Sequence, residues 1–229
     1  MRLLLIRHGQ TPANVDGVLD TLVPGPGLTA LGREQAARLP EALGDRGVGA
    51  VFVSDMVRTH ETAAPLAEAL GLEPVELPGL HEIDAGDLEG KRDRASVLEY
   101  MGTVSAWLDG DRDRRMPGGP DGHAFFARFD AAVATIAAGG ADTAAAFSHG
   151  AAIRSWAGGT ATNLADHALA RHTLENTGIV ELDGDPASGW TVVRWEGQPV
   201  GGDEVADRSA PDPTGEAFTP PDGATPASR

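Results

Sequence analysis

The chain has 229 residues, a formal net charge of −16 and no cysteine. That charge excludes a uniformly basic surface for nucleic acid or anionic membrane. The missing thiols exclude disulfides, thiolate metal sites and a cysteine nucleophile. Aromatic residues make up only 5%, so the core of a domain this size must be built mainly from Ala, Val and Leu.

Leu3–Ile6 is a short apolar run cut off by Arg7-His8-Gly9, the signature of a strand buried on both faces. Thr29 is placed to cap a helix from about Ala30 to Leu43, ended by Gly44. Ala50–Val53 reads as a second buried strand. A helix from about Met56 to Leu70 follows, in which Pro65 should kink the axis or begin a new segment. Glu73–Leu77 is a weaker strand, and 95–109 and 122–138 are helical. Thr143–Phe147 is a buried strand leading through Ser148-His149-Gly150 into a short helix to about Trp156. Ile179–Leu182 and Trp190–Trp195 flank Asp183-Gly184-Asp185-Pro186 as a late antiparallel hairpin. From 201 onward the chain holds five Pro, six acids and two Arg, a composition expected to stay disordered. The alternation predicts an α/β fold: a three-layer α/β/α sandwich with a mostly parallel central sheet, a late hairpin or edge strand, and a disordered tail. No apolar stretch approaches the roughly 18 residues of a membrane span. The Met1–Arg7 segment is too short in apolar residues for a signal peptide. The expectation is a cytoplasmic protein.

Three strands end in polar residues: Arg7-His8-Gly9, Ser54-Asp55 with Arg58 just beyond, and Ser148-His149-Gly150. Ligands of open parallel sheets bind beyond the carboxyl ends of the strands, so these groups converge on one crevice. Arginine matches phosphate bidentately and keeps its charge. A neutral imidazole beside it can attack phosphorus. The departing alkoxide needs a proton, and an acid within Leu80–Asp87 is the candidate donor. The positive charge of the two Arg and the second His makes a metal or other cofactor unnecessary.

These residues resemble the histidine phosphatase superfamily, in its phosphoglycerate-mutase-like branch. Arg7-His8-Gly9-Gln10-Thr11-Pro12-Ala13-Asn14 is similar to its RHGxTxxN signature. Leu28-Thr29-Ala30-Leu31-Gly32 with Gln35-Ala36 resembles its LTxxGxxQA helix start. Ser54–Thr59 with Thr62-Ala63, Leu80-His81-Glu82 with Gly86 and Glu89-Gly90, and Phe147–Gly150 supply three further segments in the family's order. The resemblance implies a phosphatase domain over 1–200 and a tail over 201–229. It implies His8 as nucleophile, with Arg7, Arg58 and His149 on the phosphoryl oxygens. Glu82 would serve as general acid and base, with Asp84 or Asp87 as alternatives. Asn14, Gln10, Thr11 and Gly150 would line the substrate pocket.

The stretch Met116–His123 lacks the Glu-Ser of the family's GES-like turn, and Leu88 stands where an aromatic is common. Arg112, Arg114 and Arg115 either form a salt-bridged helical surface or reach over the pocket. His60, His81, His123, His167 and His172 read as surface or packing residues. No ligand spacing supports a zinc site at His81 and Glu82. The expected activity is metal-independent hydrolysis of a small phosphorylated metabolite. The alternatives are a phosphoglycerate-mutase-type transfer and a silent phosphate-binding regulatory module. The short interval between Gly90 and Ser148 favours hydrolysis. No nucleic-acid or membrane partner is expected. The sequence leaves the oligomeric state open, a homodimer included.

Overall fold

The computed structural model describes residues 1–164, 173–216 and 218. Six strands form one sheet in the order β3-β2-β4-β1-β5-β6: β1 Arg2–Arg7, β2 Val48–Val53, β3 Val75–Glu76, β4 Thr143–Ser148, β5 Ile179–Asp185 and β6 Gly189–Glu196. The first four are parallel, whereas β5 runs antiparallel to β1 and to β6. Seven helices are described: α1 Pro12–Asp16, α2 Ala30–Ala37, α3 Leu39–Leu43, α4 Val57–Leu70, α5 Arg94–Leu108, α6 Gly122–Ala138 and α7 Gly150–Thr160. No helix among the described residues is long and apolar enough to cross a membrane.

Side chains of a strand alternate between faces, and that alternation builds the three layers. Leu3, Leu5, Phe52, Ala144 and Ala146 pack with Trp107, Phe125, Phe129 and Trp156 from α5–α7. Leu4, Ile6, Val51, Val53, Ala145 and Phe147 pack on the opposite face with Leu39, Leu43, Ala63 and Leu66. Three consecutive alanines in the central β4 keep both helix layers close to the sheet. Apart from Phe147 the aromatics gather on the first side, where Phe129 stacks on Trp156 at 5.3 Å between ring centroids.

Several expectations shift. The helix expected over 30–43 is two helices, because Pro40 supplies no N–H and its ring crowds the carbonyl of Ala36. The second helix ends at Leu43 with Gly44 as its cap, as expected, and a 3-10 turn over Gly44–Arg46 carries on to Gly47, which takes the left-handed conformation at φ 68°. Pro65 lies inside one uninterrupted α4. It costs one backbone bond, while Ala63, Leu66 and Ala67 remain buried around it. In the hairpin the strand continues through Asp185, whose Oδ1 accepts the N–H groups of Ala187 and Ser188 to close the turn.

The largest difference is at 201–216, expected to lie in a disordered tail. Here the segment packs back onto the domain. Val205 is buried, and Asp207 and Asp212 bond to Gln10 and Arg7. Composition described the segment's own apolar content but not the partners waiting for its carboxylates. Residues 217 and 219–229, also assigned to the tail, lie outside the described residues, as do His167 and His172.

Candidate active site

The parallel register fixes which strand ends meet. Arg7 of β1 is opposite Ser148 of β4, and Val53 of β2 is opposite Phe147. The next residues in each strand, His8, Ser54 and His149, therefore emerge together. Two glycines let the first loop close down. A Cβ on Gly9 would come within 2.6 Å of the Gly32 carbonyl, and one on Gly32 would strike the Gln10 backbone. This contact explains why the first and second motifs each carry a glycine.

His8 and His149 lie with ring centroids 5.3 Å apart. Arg7, Arg58 and Glu82 share their burial. His8 Nδ1 is 2.7 Å from the Gly9 carbonyl. A carbonyl only accepts, so Nδ1 carries the proton and Nε2 keeps its lone pair. Burial pushes the His8 pKa well below the ordinary histidine range, and the charges of Arg58 and then Arg7 push it further. In His149, Nδ1 accepts from Arg58 Nε at 3.2 Å, so the proton sits on Nε2 and is donated to Ser54 Oγ at 2.8 Å. Burial, then Arg58, lowers its pKa well below the usual value too.

The two guanidiniums are held differently. Arg58 sits in the first turn of α4 and donates Nη1 to Asp20 Oδ1 at 3.1 Å and Nη2 to the Asp20 carbonyl at 2.9 Å. Burial draws its pKa down, against the opposing pull of Asp20 and Glu82. Arg7 spends both Nη groups on the 174–214 region, and its buried Nε has no partner among the described residues.

Glu82 meets the N-terminus of α7. Its carboxylate accepts N–H bonds from Ala152 at 2.8 Å, Ala151 at 3.3 Å and its neighbour Ile83 at 2.8 Å. A helix N-terminus presents such unpaired donors to an anion. Asp84 and Asp87, the alternatives, are exposed. Arg128 of α6 donates to the carbonyls of Gly79, His81 and Glu82 at 2.8–3.0 Å and so clamps the loop that carries Glu82. Tyr100 adds a bond from its hydroxyl to the Ile83 carbonyl.

A cavity of about 400 Å³ opens beside Glu82, lined by Val23, Asp55, His81, Asp84, Phe125 and Arg128 among others. His81, expected to be surface or packing, faces this cavity. Its Nδ1 lies 2.6 Å from Asp55 Oδ1 and its Nε2 is 2.7 Å from the Thr21 carbonyl. Three expected pocket residues are committed to the scaffold. Gln10 bonds to Thr29 and Asp207, Thr11 caps α1, and Asn14 Oδ1 accepts from Thr11 while its Nδ2 donates to Asp212. Gly150 abuts Arg7 Nε, where a Cβ would intrude at 2.9 Å. Arg112 lies over the Phe126 ring, Arg114 pairs with Glu99 and Arg115 with Asp121. None of the three lines the cavity. Among the described residues no group of three or more His, Asp or Glu is arranged to hold a metal ion.

Asp20, Arg128, Asp212 and Asn176, which donates to the His8 carbonyl at 3.0 Å, carry no sequence signal for the site. Each is isolated in its own stretch of chain and comes to the cluster only through the fold.

The fold and this cluster define an α/β domain with two buried imidazoles and two buried guanidiniums gathered at the carboxyl ends of a parallel sheet. The chain belongs to the histidine phosphatase superfamily (branch 1), whose profile matches residues 3–198. It is 42% identical over 213 residues to the PE-PGRS family protein PE_PGRS11 of Mycobacterium tuberculosis, a match covering 86% of this chain and 36% of that protein. The chain thus spans about a third of that relative's length. It is 30% identical over 197 residues to the probable phosphoglycerate mutase GpmB of Enterobacter sp., covering 84% and 91% of the two chains. Among solved structures, mycobacterial glucosyl-3-phosphoglycerate phosphatase complexed with VO3 superposes with a TM-score of 0.72 at 26% identity, over 86% of this chain and 99% of that one.

Proposed function

We propose that the protein is a metal-independent phosphomonoester phosphatase working through a phosphohistidine on His8. The observation that carries this reading is the Nδ1 bond to the Gly9 carbonyl. It leaves an unprotonated Nε2 on an imidazole that burial and two guanidiniums keep neutral. Nε2 attacks phosphorus as the bond to the ester oxygen breaks, and Glu82 gives that oxygen its proton. Water then attacks phosphorus as the P–N bond breaks, loses a proton to Glu82, and inorganic phosphate leaves with Nε2 restored. Arg7 and Arg58 stabilise charge on the phosphoryl oxygens, which such positioned donors do best in a water-poor site, and His149 flanks them, its Nε2–H shared with Ser54 and its Nδ1 orienting Arg58. The route uses no cofactor.

The lining of the cavity favours hydrolysis over mutase-type transfer. Asp55, Glu82 and Asp84 face it, and its one cation, Arg128, has donors spent on three carbonyls. A phosphoglycerate would bring a carboxylate, and its mutase intermediate a second phosphate, into that acidic surround. A small ester with an uncharged alcohol, set against Val23, Ile83 and Phe125, suits it better. The relatives named for phosphoglycerate mutase and for glucosyl-3-phosphoglycerate phosphatase agree with the shared phosphoryl chemistry.

Phosphate release from a panel of monoesters in EDTA, wild type beside His8→Ala, tests the reading. Release should survive the chelator and vanish in the variant. Retention of activity by His8→Ala would refute the phosphohistidine. A labelled phosphoenzyme discharged by phosphoglycerate but not by water would instead establish the mutase.

A further inference from the structure

Arg7 is fully buried, and among the described residues its charge is met by one carboxylate, that of Asp212. This acid is distant in sequence and lies in the stretch whose composition suggested disorder. The pairing is end-on and bidentate: Nη1 to Oδ2 at 2.5 Å, Nη2 to Oδ1 at 2.8 Å. Nη1 also donates to the Leu174 carbonyl and Nη2 to Thr214 Oγ1. Asp212 Oδ1 in turn accepts from Asn14 Nδ2 at 3.1 Å, tying the first helix to the same carboxylate. The packing is close enough to demand glycine on two sides. A Cβ on Gly215 would overlap Arg7 Nη1, and one on Gly150 would lie 2.7 Å from the Thr214 carbonyl.

The consequence is directional. A guanidinium has five N–H donors in one plane. Four lie on the Nη groups, which the 174–214 region engages. The fifth, on Nε, is buried without a partner among the described residues, beside Gly150, the residue after His149. A buried charged donor left unpaired costs free energy unless a ligand completes it. We propose that Asp212 is the positioning residue for Arg7: it fixes the guanidinium plane so that Nε–H faces the phosphoryl oxygen. The 201–216 segment is thereby a working part of the phosphate site. This rests on the phosphatase reading for the ligand's identity, while the latch itself is a claim about anion binding. A carboxylate that merely occupied the phosphate's place would compete for the donor aimed at the ligand, and Asp212 leaves that donor free.

The test uses the full chain and inorganic phosphate as probe, with binding measured by calorimetry and turnover with p-nitrophenyl phosphate. Asp212→Asn should weaken phosphate binding about tenfold or more, the size expected for loss of a charge-assisted pair. KM should rise by at least as much as kcat falls. On an Arg7→Lys background the same change should add little, because the geometry it protects is already gone. Asp212→Glu keeps the charge and should hold phosphate affinity within about threefold of wild type, so the test stands even if Asp212→Asn fails to fold. Unchanged or tighter phosphate binding in Asp212→Asn would overturn the latch, tighter binding marking an inhibitory contact instead. So would full additivity with Arg7→Lys, or a folded Asp212→Glu that loses affinity as Asp212→Asn does. Phosphate binding without ester turnover in the wild type would refute the phosphatase reading and leave the latch to be judged on binding alone.

Discussion

Glu82 Oε1 accepts the backbone N–H of Ala152 at 2.8 Å, so the proposed acid sits on the N-terminus of the helix that follows His149. The helix thus holds one oxygen, while the other keeps only the longer bond to Ala151 at 3.3 Å. The weakly held oxygen is the one available to exchange a proton with the departing group. Glu82→Gln should therefore slow hydrolysis of alkyl phosphates by about two orders of magnitude or more, the usual worth of a positioned acid. p-Nitrophenyl phosphate, whose leaving group departs without a proton, should slow far less. Steady-state kinetics on both ester types check this. Equal slowing would move the role to another acid.

Arg128 places that carboxylate at second hand. Its guanidinium spans the carbonyls of Gly79, His81 and Glu82. In Arg128→Met the three acceptors lose their donor in a half-buried setting. Stability should fall by about 2–4 kcal/mol by denaturant unfolding, since each unmet buried group costs about 1–3 kcal/mol and water can reach some of them. kcat should fall while phosphate affinity, which the proposed site assigns to Arg7 and Arg58, stays near wild type.

Asp20 stands toward Arg58 as Asp212 does not toward Arg7. Arg58 has Nε on His149 and one N–H of each Nη on Asp20, so a phosphoryl group must take the two remaining Nη donors in competition with the Asp20 carboxylate. The Asp20 side chain is 24% exposed, so water can take its place as the partner of Arg58. Asp20→Asn removes the competing charge and should lower KM for phosphate esters by several-fold, about 1 kcal/mol of binding. A raised KM would show instead that Asp20 holds Arg58 in place.

Two buried neutral imidazoles make stability fall in acid. The pKa values of His8 and His149 are lowered in the folded chain. The unfolded chain takes up protons near the ordinary value of about 6.5. Above that pH neither state is charged at these sites and they contribute no slope. As pH falls below it, the unfolded state alone gains protons, and the folded state loses up to about 1.4 kcal/mol per pH unit for each histidine until its own lowered pKa is reached. Denaturant midpoints between about pH 8 and about pH 5 should show this, with a shallower slope in His8→Ala. The same shift predicts that kcat/KM stays high below the ordinary histidine range, since Nε2 is still unprotonated there.

The sequence alone determined the parallel strands and the cluster at their ends. Leu3–Ile6 and Thr143–Phe147 are apolar without alternation, which only a strand covered on both faces tolerates. The motif residues that follow must then share one rim. His8, Arg7, Arg58, His149 and Glu82 meet for that reason. Local pattern also placed the glycines at 9, 32 and 150, although not the backbone contacts that require them. What only the tertiary structure decided lies at long range. A local exception is the helix break at Arg38, where Pro40 ends α2, which periodicity hid. The partners of the two guanidiniums, Asp20 and Asp212, and the clamp on the Glu82 loop, Arg128, have no spacing relation to the residues they serve. A charged side chain in a polar stretch looks the same whether water or a buried arginine receives it. Only the folded chain shows which, because the free energy of pairing a buried charge depends on what desolvated the partner, and that is set by packing far away in sequence.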